Sequence, residues 1–275
     1  MLAHLERPTA RAPGLRQIFA DFGLTYFANG LIGFIFSATG PVAIILSVGT
    51  RGGLSQAELA SWVFGVFFIN GLITIAMSWR YKSPLGFAWT IPGTVLVGPA
   101  LQHLSFAEVI GAFYATSALI LVLGASGWVK RLMSSLPMPI VMGMVAGVFL
   151  RFGLDLVRAL HSDVGIAGPM VVAFLLLSAS ATWGKRIPPV IGALVVGAIA
   201  IGLLGRVDTS VVHSFAFAAP VVQAPVWSIG ALVELVVPLA ITVLVVQNGQ
   251  GVAVLSAVKH QPPVNTIAFV SGIGA

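Results

Sequence analysis

The first residues that could bind a ligand surround one proline in an otherwise apolar chain. In "GFAWTIPGTV" the indole of Trp89 can stack on an aromatic molecule, and its N–H can donate to a carboxylate. Thr90 and Thr94 lie on either side of Pro92 and offer hydroxyl groups. The structural alternative is that these threonines only cap a helix and that Trp89 is an ordinary packing residue.

The backbone around Pro92 offers a second kind of chemistry. Proline suits the first turn of a helix, and the residue before it is pushed towards extended geometry. A helix that begins here leaves the N–H groups from Ile91 to Thr94, with Gly93 among them, near its positive end. These groups predict a binding site for an anionic group.

Two more polar groups lie in apolar segments. Gln247, Asn248 and Gln250 belong to "VVQNGQGVAVL", and Tyr26 and Asn29 belong to "LTYFANGLIG". Buried amides are costly in lipid unless they find partners, so they either bind a ligand or join helices by hydrogen bonds. We predict that all five contribute to the substrate site, with helix–helix contacts as the alternative.

The composition places these residues in a membrane protein. The chain is 58% hydrophobic and 8% charged, and its mean hydropathy is +1.03. A soluble domain carries roughly 25% charged residues. No cysteine is present, which excludes disulfides and thiolate metal sites. The sequence lacks the motifs HExxH, GxSxG and GxxxxGK[ST], so we predict neither an enzyme nor a bound metal or cofactor.

The apolar segments predict an all-α polytopic membrane protein. About 20 residues cross a bilayer as a helix. Eight such segments and the start of a ninth are recognisable, at residues 18–48, 58–79, 83–101, 106–129, 139–160, 168–183, 188–204, 229–258 and from 264 onwards.

The basic residues predict the orientation of these spans. Ten fall in the tail and in loops on one side, namely Arg7, Arg11, Arg16, Arg80, Lys82, Lys130, Arg131, Lys185, Arg186 and Lys259. Four fall on the other side or in its adjoining helices, namely Arg51, Arg151, Arg158 and Arg206. Lysine and arginine accumulate on the cytoplasmic side, so the N-terminus is predicted to be cytoplasmic. The basic residues that orient the spans account for the net charge of +6, so binding of nucleic acid is not predicted.

The third span, residues 83–101, cannot be one helix. From Pro92 to Leu101 a helix reaches only ~15 Å of the ~30 Å hydrocarbon core, so the preceding residues must be extended. The break is predicted near Thr90 and Ile91, at mid-membrane. Irregular backbone at that depth must be buried in protein or line a cavity, as in many secondary transporters. A proline kink in a packed helix is the alternative.

Three segments carry a resemblance to a known family. "GFAWTIPGTVLVGPAL", "ANGLIGFIFSATGPVAIIL" and "QNGQGVAVL" resemble the benzoate:proton symporters of the BenE family, which is similar to the nucleobase carriers with seven-plus-seven inverted repeats. The resemblance implies a core of spans 1–4 and 8–11, a gate of spans 5–7 and 12–14, and substrate held between broken spans 3 and 10. Asn29-Gly30 and Asn248-Gly249, seven spans apart, fit an inverted repeat.

The expected organisation follows from this resemblance. Residues 1–17 form a cytoplasmic tail, 18–129 the first core spans and 130–206 the first gate spans. Residues 207–228 form a periplasmic or extracellular connection, and 229–275 hold span 8 and the start of span 9. The 275-residue chain is therefore expected to hold the first repeat and the start of the second, and to insert without transporting by itself.

The expected function is import of benzoate with protons across the inner membrane by alternating access. A carrier for another small anion or a nucleobase remains an alternative, as does a membrane fragment without transport activity, and a homodimer is left open. Nucleobase carriers have an acidic residue in span 8, where this chain has Gln247 and Asn248, and neutral amides suit a carboxylate. No proton carrier is assigned, because the spacing of Asp155 and Arg158 favours an ion pair.

Overall fold

The computed structural model describes residues 2–135, 138–180, 183, 187–207 and 219–274. All regular elements in these ranges are helical, which confirms the all-α prediction. After a short 3₁₀ turn at Leu2–His4, the helices are α1 (Leu15–Asp21), α2 (Leu24–Arg51), α3 (Gln56–Tyr81), α4 (Ile91–Ala100), α5 (Phe106–Ser126), α6 (Trp128–Ser134), α7 (Met138–Ser162), α8 (Val164–Ala179), α9 (Pro189–Leu203), α10 (Ile229–Ala257) and α11 (Val264–Gly274).

Three of the described helices are long and apolar enough to cross a membrane. They are α3, α5 and α10, with 26, 21 and 29 residues, and they coincide with the predicted spans 2, 4 and 8. A crossing needs about 20 residues, so α4, α8, α9 and α11 are shorter than a full span. The predicted crossings at 139–160, 168–183 and 188–204 overlap α7, α8 and α9 and stay predictions. Part of 168–183 lies outside the described residues.

The predicted first span differs from the structure. The chain bends by 91° between α1 and the start of α2, so residues 18–48 do not form one straight helix. Phe22 and Gly23 separate the two helices, and glycine is a weak helix former. A fourth candidate span exists if α1 and the beginning of α2 are counted together.

The chain forms two compact units. The first contains residues 1–15, 40–145 and 218–275, and the second contains residues 16–39 and 146–217. The predicted division into core and gate spans concerns movement and stays a prediction. In the second unit α8 packs along α9, and Asp163 forms an ion pair with Arg206. The predicted pair of Asp155 and Arg158 is confirmed at 2.9 Å, while the side chain of Arg151 lies outside the description.

The core of the first unit is built around α5, which packs against α10 and α11. Ile120 of α5 and Ala268 of α11 are fully buried in this contact. The two helices approach closely at Gly124, where an added Cβ would lie 2.6 Å from the backbone nitrogen of Phe269. Small residues let membrane helices pack backbone to backbone, and Gly124 allows this close approach of α5 and α11.

The N-terminal strap, residues 2–14, is fastened to the first unit. The Glu6 carboxylate accepts from the backbone N–H groups of Asn265, at 3.3 Å, and Thr266, at 3.0 Å, where α11 begins. The Tyr81 hydroxyl donates to the Glu6 carbonyl at 2.6 Å, and the Trp79 indole donates to the Pro13 carbonyl at 2.8 Å. A negative side chain at a helix N-terminus stabilises that end, so Glu6 links the strap to α11.

We expect Glu6→Ala to release the strap. Hydrogen bonds to a charged group contribute about 1.5–3 kcal/mol, so the detached state should be populated about ten- to hundredfold more. Trypsin cleavage after Arg11 reports that population and should accelerate accordingly. Glu234→Ala is the matched control, because Glu234 pairs with His103 and does not contact the strap. Equal cleavage rates in wild type and Glu6→Ala would contradict this role.

Candidate functional site

The predicted break in the third span is present. Residues 84–90 have no regular structure, and α4 begins at Ile91 with Pro92 in its first turn. Thr90 caps the helix, because its hydroxyl accepts from the Gly93 N–H at 3.3 Å. The Thr94 N–H donates to the Thr90 carbonyl at 2.9 Å. Capping, the structural alternative for Thr90, is therefore observed.

This capping uses up most of the donors that were expected for a ligand. Pro92 has no N–H, and those of Gly93 and Thr94 already have partners within the helix start. Of the set from Ile91 to Thr94, only the Ile91 N–H lacks a partner among the described residues. The start of α4 is thus a poorer anion site than the sequence predicts.

Side chains of α3 hold the extended segment before α4. The Thr74 hydroxyl accepts from the Phe87 N–H at 2.8 Å and lies 3.2 Å from the Phe87 carbonyl oxygen. One turn later, the Ser78 hydroxyl makes the same pair of contacts with Leu85, at 3.1 and 3.0 Å. Backbone groups that leave a helix need other partners when they are buried, and these two hydroxyls supply them for Leu85 and Phe87. No pattern in the sequence marks Thr74 and Ser78 as partners of this segment.

Helix α10 holds the same segment from another direction. The Gln247 amide donates to the Ala88 carbonyl at 2.8 Å. Gly93 of α4 packs on Leu239 and Thr242 of α10, where an added Cβ would lie 3.2 Å from the Leu239 Cδ2 and 3.4 Å from the Thr242 Oγ1. The third and eighth predicted spans therefore meet at the break.

A cavity of about 460 Å³ lies beside this break, inside the first unit. Its wall is formed by α3, the extended segment, α4, α5, α10, α11 and residues 221–223. Many of its lining residues are aromatic, namely Trp62, Phe87, Trp89, Phe106, Phe113 and Tyr114. The ring of Phe67 lies 5.7 Å from that of Trp89 at an angle of 52°, and so supports it from behind. Sites for small organic molecules are of this size and are mostly apolar.

The structure brings together six of the ten predicted site residues. Those that line the cavity are Trp89, Thr90, Gly93, Thr94, Gln247 and Asn248. Ile91 and Gln250 lie close in sequence to the lining residues Thr90 and Asn248 but do not line the cavity themselves. Tyr26 and Asn29 belong to the second unit, where both are exposed. A role in binding stays a prediction for all ten residues.

Two polar atoms of the cavity residues have no hydrogen-bond partner among the described residues. They are the indole Nε1 of Trp89, a donor, and the amide Oε1 of Gln247, an acceptor, and both are buried. Leaving a buried polar group unpaired costs about 1–3 kcal/mol. A ligand that reached both atoms with one acceptor and one donor would remove this cost.

The two long helices that line the cavity each change their winding beside it. Residues Gly65–Ile69 of α3 and Thr242–Gln247 of α10 form π-helical turns. π-Helical turns are rare in proteins, and those that occur are often found at functional sites. The spacing of apolar residues in α3 and α10 does not reveal either π-helical turn.

Further polar residues of the cavity were not found from the sequence. Asn70 is 8% exposed and lines the wall with Thr116 and Ser271. A signal for Asn70 existed, because "FINGL" repeats the Asn-Gly pattern of Asn29 and Asn248. Among the described residues, no group of three His, Asp or Glu side chains is placed to hold a metal ion.

Several helices long enough to span a membrane, with a cavity that six aromatic side chains line beside a broken span, are typical of a membrane carrier. Comparison with known families identifies it further. The model of the benzoate membrane transport protein family, BenE, matches residues 20–275, and the chain belongs to this family. The family consists of membrane transport proteins and not of enzymes.

The chain is similar to two known membrane proteins over part of their length. It is 30% identical over 250 residues to the inner membrane protein YdcO of Escherichia coli, and 25% identical over 264 residues to the benzoate membrane transport protein of Acinetobacter baylyi. These matches cover 91% and 95% of the chain but only 62% and 65% of the relatives. No solved structure matches the chain.

Proposed function

We propose that the protein is a secondary transporter that imports benzoate, or a closely related aromatic carboxylate, with protons across the inner membrane by alternating access. The observation that carries the proposal is the cavity of about 460 Å³ beside the broken span, with six aromatic side chains in its wall. Membership of the benzoate membrane transport family gives the substrate class, and one relative bears that name. A benzene ring fits a wall of aromatic side chains, and few polar groups are needed to hold its carboxyl group.

The meeting of the third and eighth spans supports the proposed inverted-repeat architecture. In such carriers broken helices and their partners form the site at mid-membrane. Gln247 of α10 bonds to the extended segment, and Gly93 of α4 packs on α10. We propose that these elements belong to one core domain, with the N-terminus on the cytoplasmic side as the ten-to-four distribution of basic residues indicates.

Proton coupling is tested in proteoliposomes that hold the protein expressed from its complete coding sequence. Entry of an anion into a negative interior is opposed by about 2.3 kcal/mol per 100 mV, and a co-transported proton removes this cost. We expect benzoate to accumulate when the outside is acidic, and a protonophore to abolish the accumulation. Liposomes without protein correct for benzoic acid that crosses the lipid unaided. Carrier-dependent uptake that ignores the proton gradient would replace symport by uniport or exchange.

A nucleobase carrier is the second candidate. Nucleobases are planar and neutral, and the amides of Asn70, Gln247 and Asn248 in the cavity wall can pair with their donors and acceptors. Competition against labelled benzoate separates the candidates. We expect excess uracil to leave the label bound, as excess benzoate displaces it, and displacement by uracil at a lower concentration than by unlabelled benzoate would favour the nucleobase.

A further inference from the structure

The charges around the cavity do not favour an anion. No lysine, arginine or histidine in the described ranges lines it. Glu58 does, and its carboxylate is held at the start of α3 by the Ser55 N–H at 2.8 Å and hydroxyl at 2.7 Å. A carboxylate that leaves water for this cavity would lose its hydration without gaining a cation, and would meet a negative charge of the same sign.

The start of α4 does not replace the missing cation. Thr90 takes the Gly93 N–H with its hydroxyl and the Thr94 N–H with its carbonyl. A helix N-terminus binds anions through free N–H groups that point at the ligand, and here most of them are occupied. The dipole of a helix of 10 residues remains, but few direct donors remain with it.

The unpaired atoms of the cavity residues match a neutral carboxyl group. A carboxylate only accepts hydrogen bonds, so it could pair with the Trp89 Nε1–H but not with the Gln247 Oε1. The Gln247 amide cannot simply be turned round, because its nitrogen already donates to the Ala88 carbonyl at 2.8 Å. A protonated carboxyl group has one O–H donor and one carbonyl acceptor, which satisfies both atoms.

We infer that the cavity binds its aromatic substrate as the neutral acid, with the substrate O–H donating to Gln247 and the substrate carbonyl accepting from Trp89. The inference rests on the proposed function and names the carrier of the coupled proton. Outside, a benzoate oxygen takes up a proton from water. Inside, the same O–H bond breaks and releases the proton. Each cycle therefore moves one proton with one benzoate and no net charge, and no titratable side chain has to carry the proton.

The test measures binding of three probes to the purified protein from pH 5 to pH 8. Carboxylic acids have pKa values near 4, so the neutral fraction of benzoate falls about tenfold per pH unit in this range. Its apparent affinity should fall by the same factor. Benzamide is neutral and also carries a donor and an acceptor, so it should bind with an affinity that does not change with pH. Benzenesulfonate, which stays anionic, should not bind.

The outcomes separate this inference from the proposed function. Benzoate affinity that is constant with pH, or binding of benzenesulfonate, would mean that the anion binds, and only the inference would fail. A pH slope shared by benzamide would show that a protein group titrates, which also overturns it. If none of the probes binds at any pH, the proposed function fails as well.

Two variants test the assigned atoms. Trp89→Phe keeps the ring and removes the N–H, and Gln247→Leu removes the acceptor. Each should weaken benzamide binding about tenfold, as expected for loss of a buried hydrogen bond. Matched controls are Trp128→Phe and Gln56→Leu, which lie outside the cavity wall and should bind normally. Unchanged affinity of both Trp89→Phe and Gln247→Leu would overturn the inference. The wild-type probe series does not depend on the folding of any variant.

Discussion

Gly93→Ala is expected to reduce benzoate uptake about tenfold or more. An added Cβ would overlap the Cγ2 of Thr90 and lie 3.2 Å from the Leu239 Cδ2 of α10. Thr90 would have to rotate, which removes the cap of α4 and moves the cavity wall. Overpacking of this kind costs about 1–3 kcal/mol, and 1.4 kcal/mol is tenfold in affinity.

The measurement is uptake of labelled benzoate by cells that produce equal amounts of each protein in the membrane. Gly98→Ala is the matched control, because its Cβ would meet only Val48, at an ordinary 3.6 Å. We expect the control to transport normally. Normal uptake by Gly93→Ala would mean that the start of α4 is not part of the substrate site.

Gly124→Leu is expected to have the largest effect on stability. Its Cβ would lie 2.6 Å from the nitrogen and 2.8 Å from the Cα of Phe269, and backbone cannot turn aside as a side chain can. Helices α5 and α11 would have to separate, which would open the buried contact around Ile120 and Ala268. We expect at least about 3 kcal/mol of destabilisation, since the larger side chain exceeds ordinary overpacking.

The thermal transition of the purified protein in detergent measures this loss. Gly71→Leu in α3 is the matched control, because no atom lies within 4 Å of its added Cβ. The Tm of the control should stay near that of the wild type, while Gly124→Leu should unfold at a much lower temperature or fail to be recovered. Equal Tm values would contradict the close contact of α5 with α11.

Local chemistry explains which features could be predicted from the sequence. Pro92 and the short reach of a helix to Leu101 require a break, and the break lies at Thr90 and Ile91 as predicted. The spacing of Asp155 and Arg158 places them on one helix face, and they form the expected ion pair. Such features depend on a few neighbouring residues, and a single sequence contains that information.

Features that depend on distant contacts could not be predicted. Thr74 and Ser78 are ordinary helix residues until the extended segment lies beside them. The sequence permits capping by Thr90 but does not require it, yet this cap determines how many N–H groups remain for a ligand. The attachment of Glu6 to Thr266 joins residues 260 positions apart, and no sequence pattern signals it.

Photolabelling tests most directly the claim that the cavity beside the broken span is the substrate site. The protein is illuminated with 4-azidobenzoate, with and without excess benzoate, and the labelled peptides are identified by mass spectrometry. The account predicts label that benzoate prevents in residues 87–97 and 239–248, which supply the break and its partner on α10. Label that benzoate prevents only in the second unit, for example around Tyr26, would contradict it.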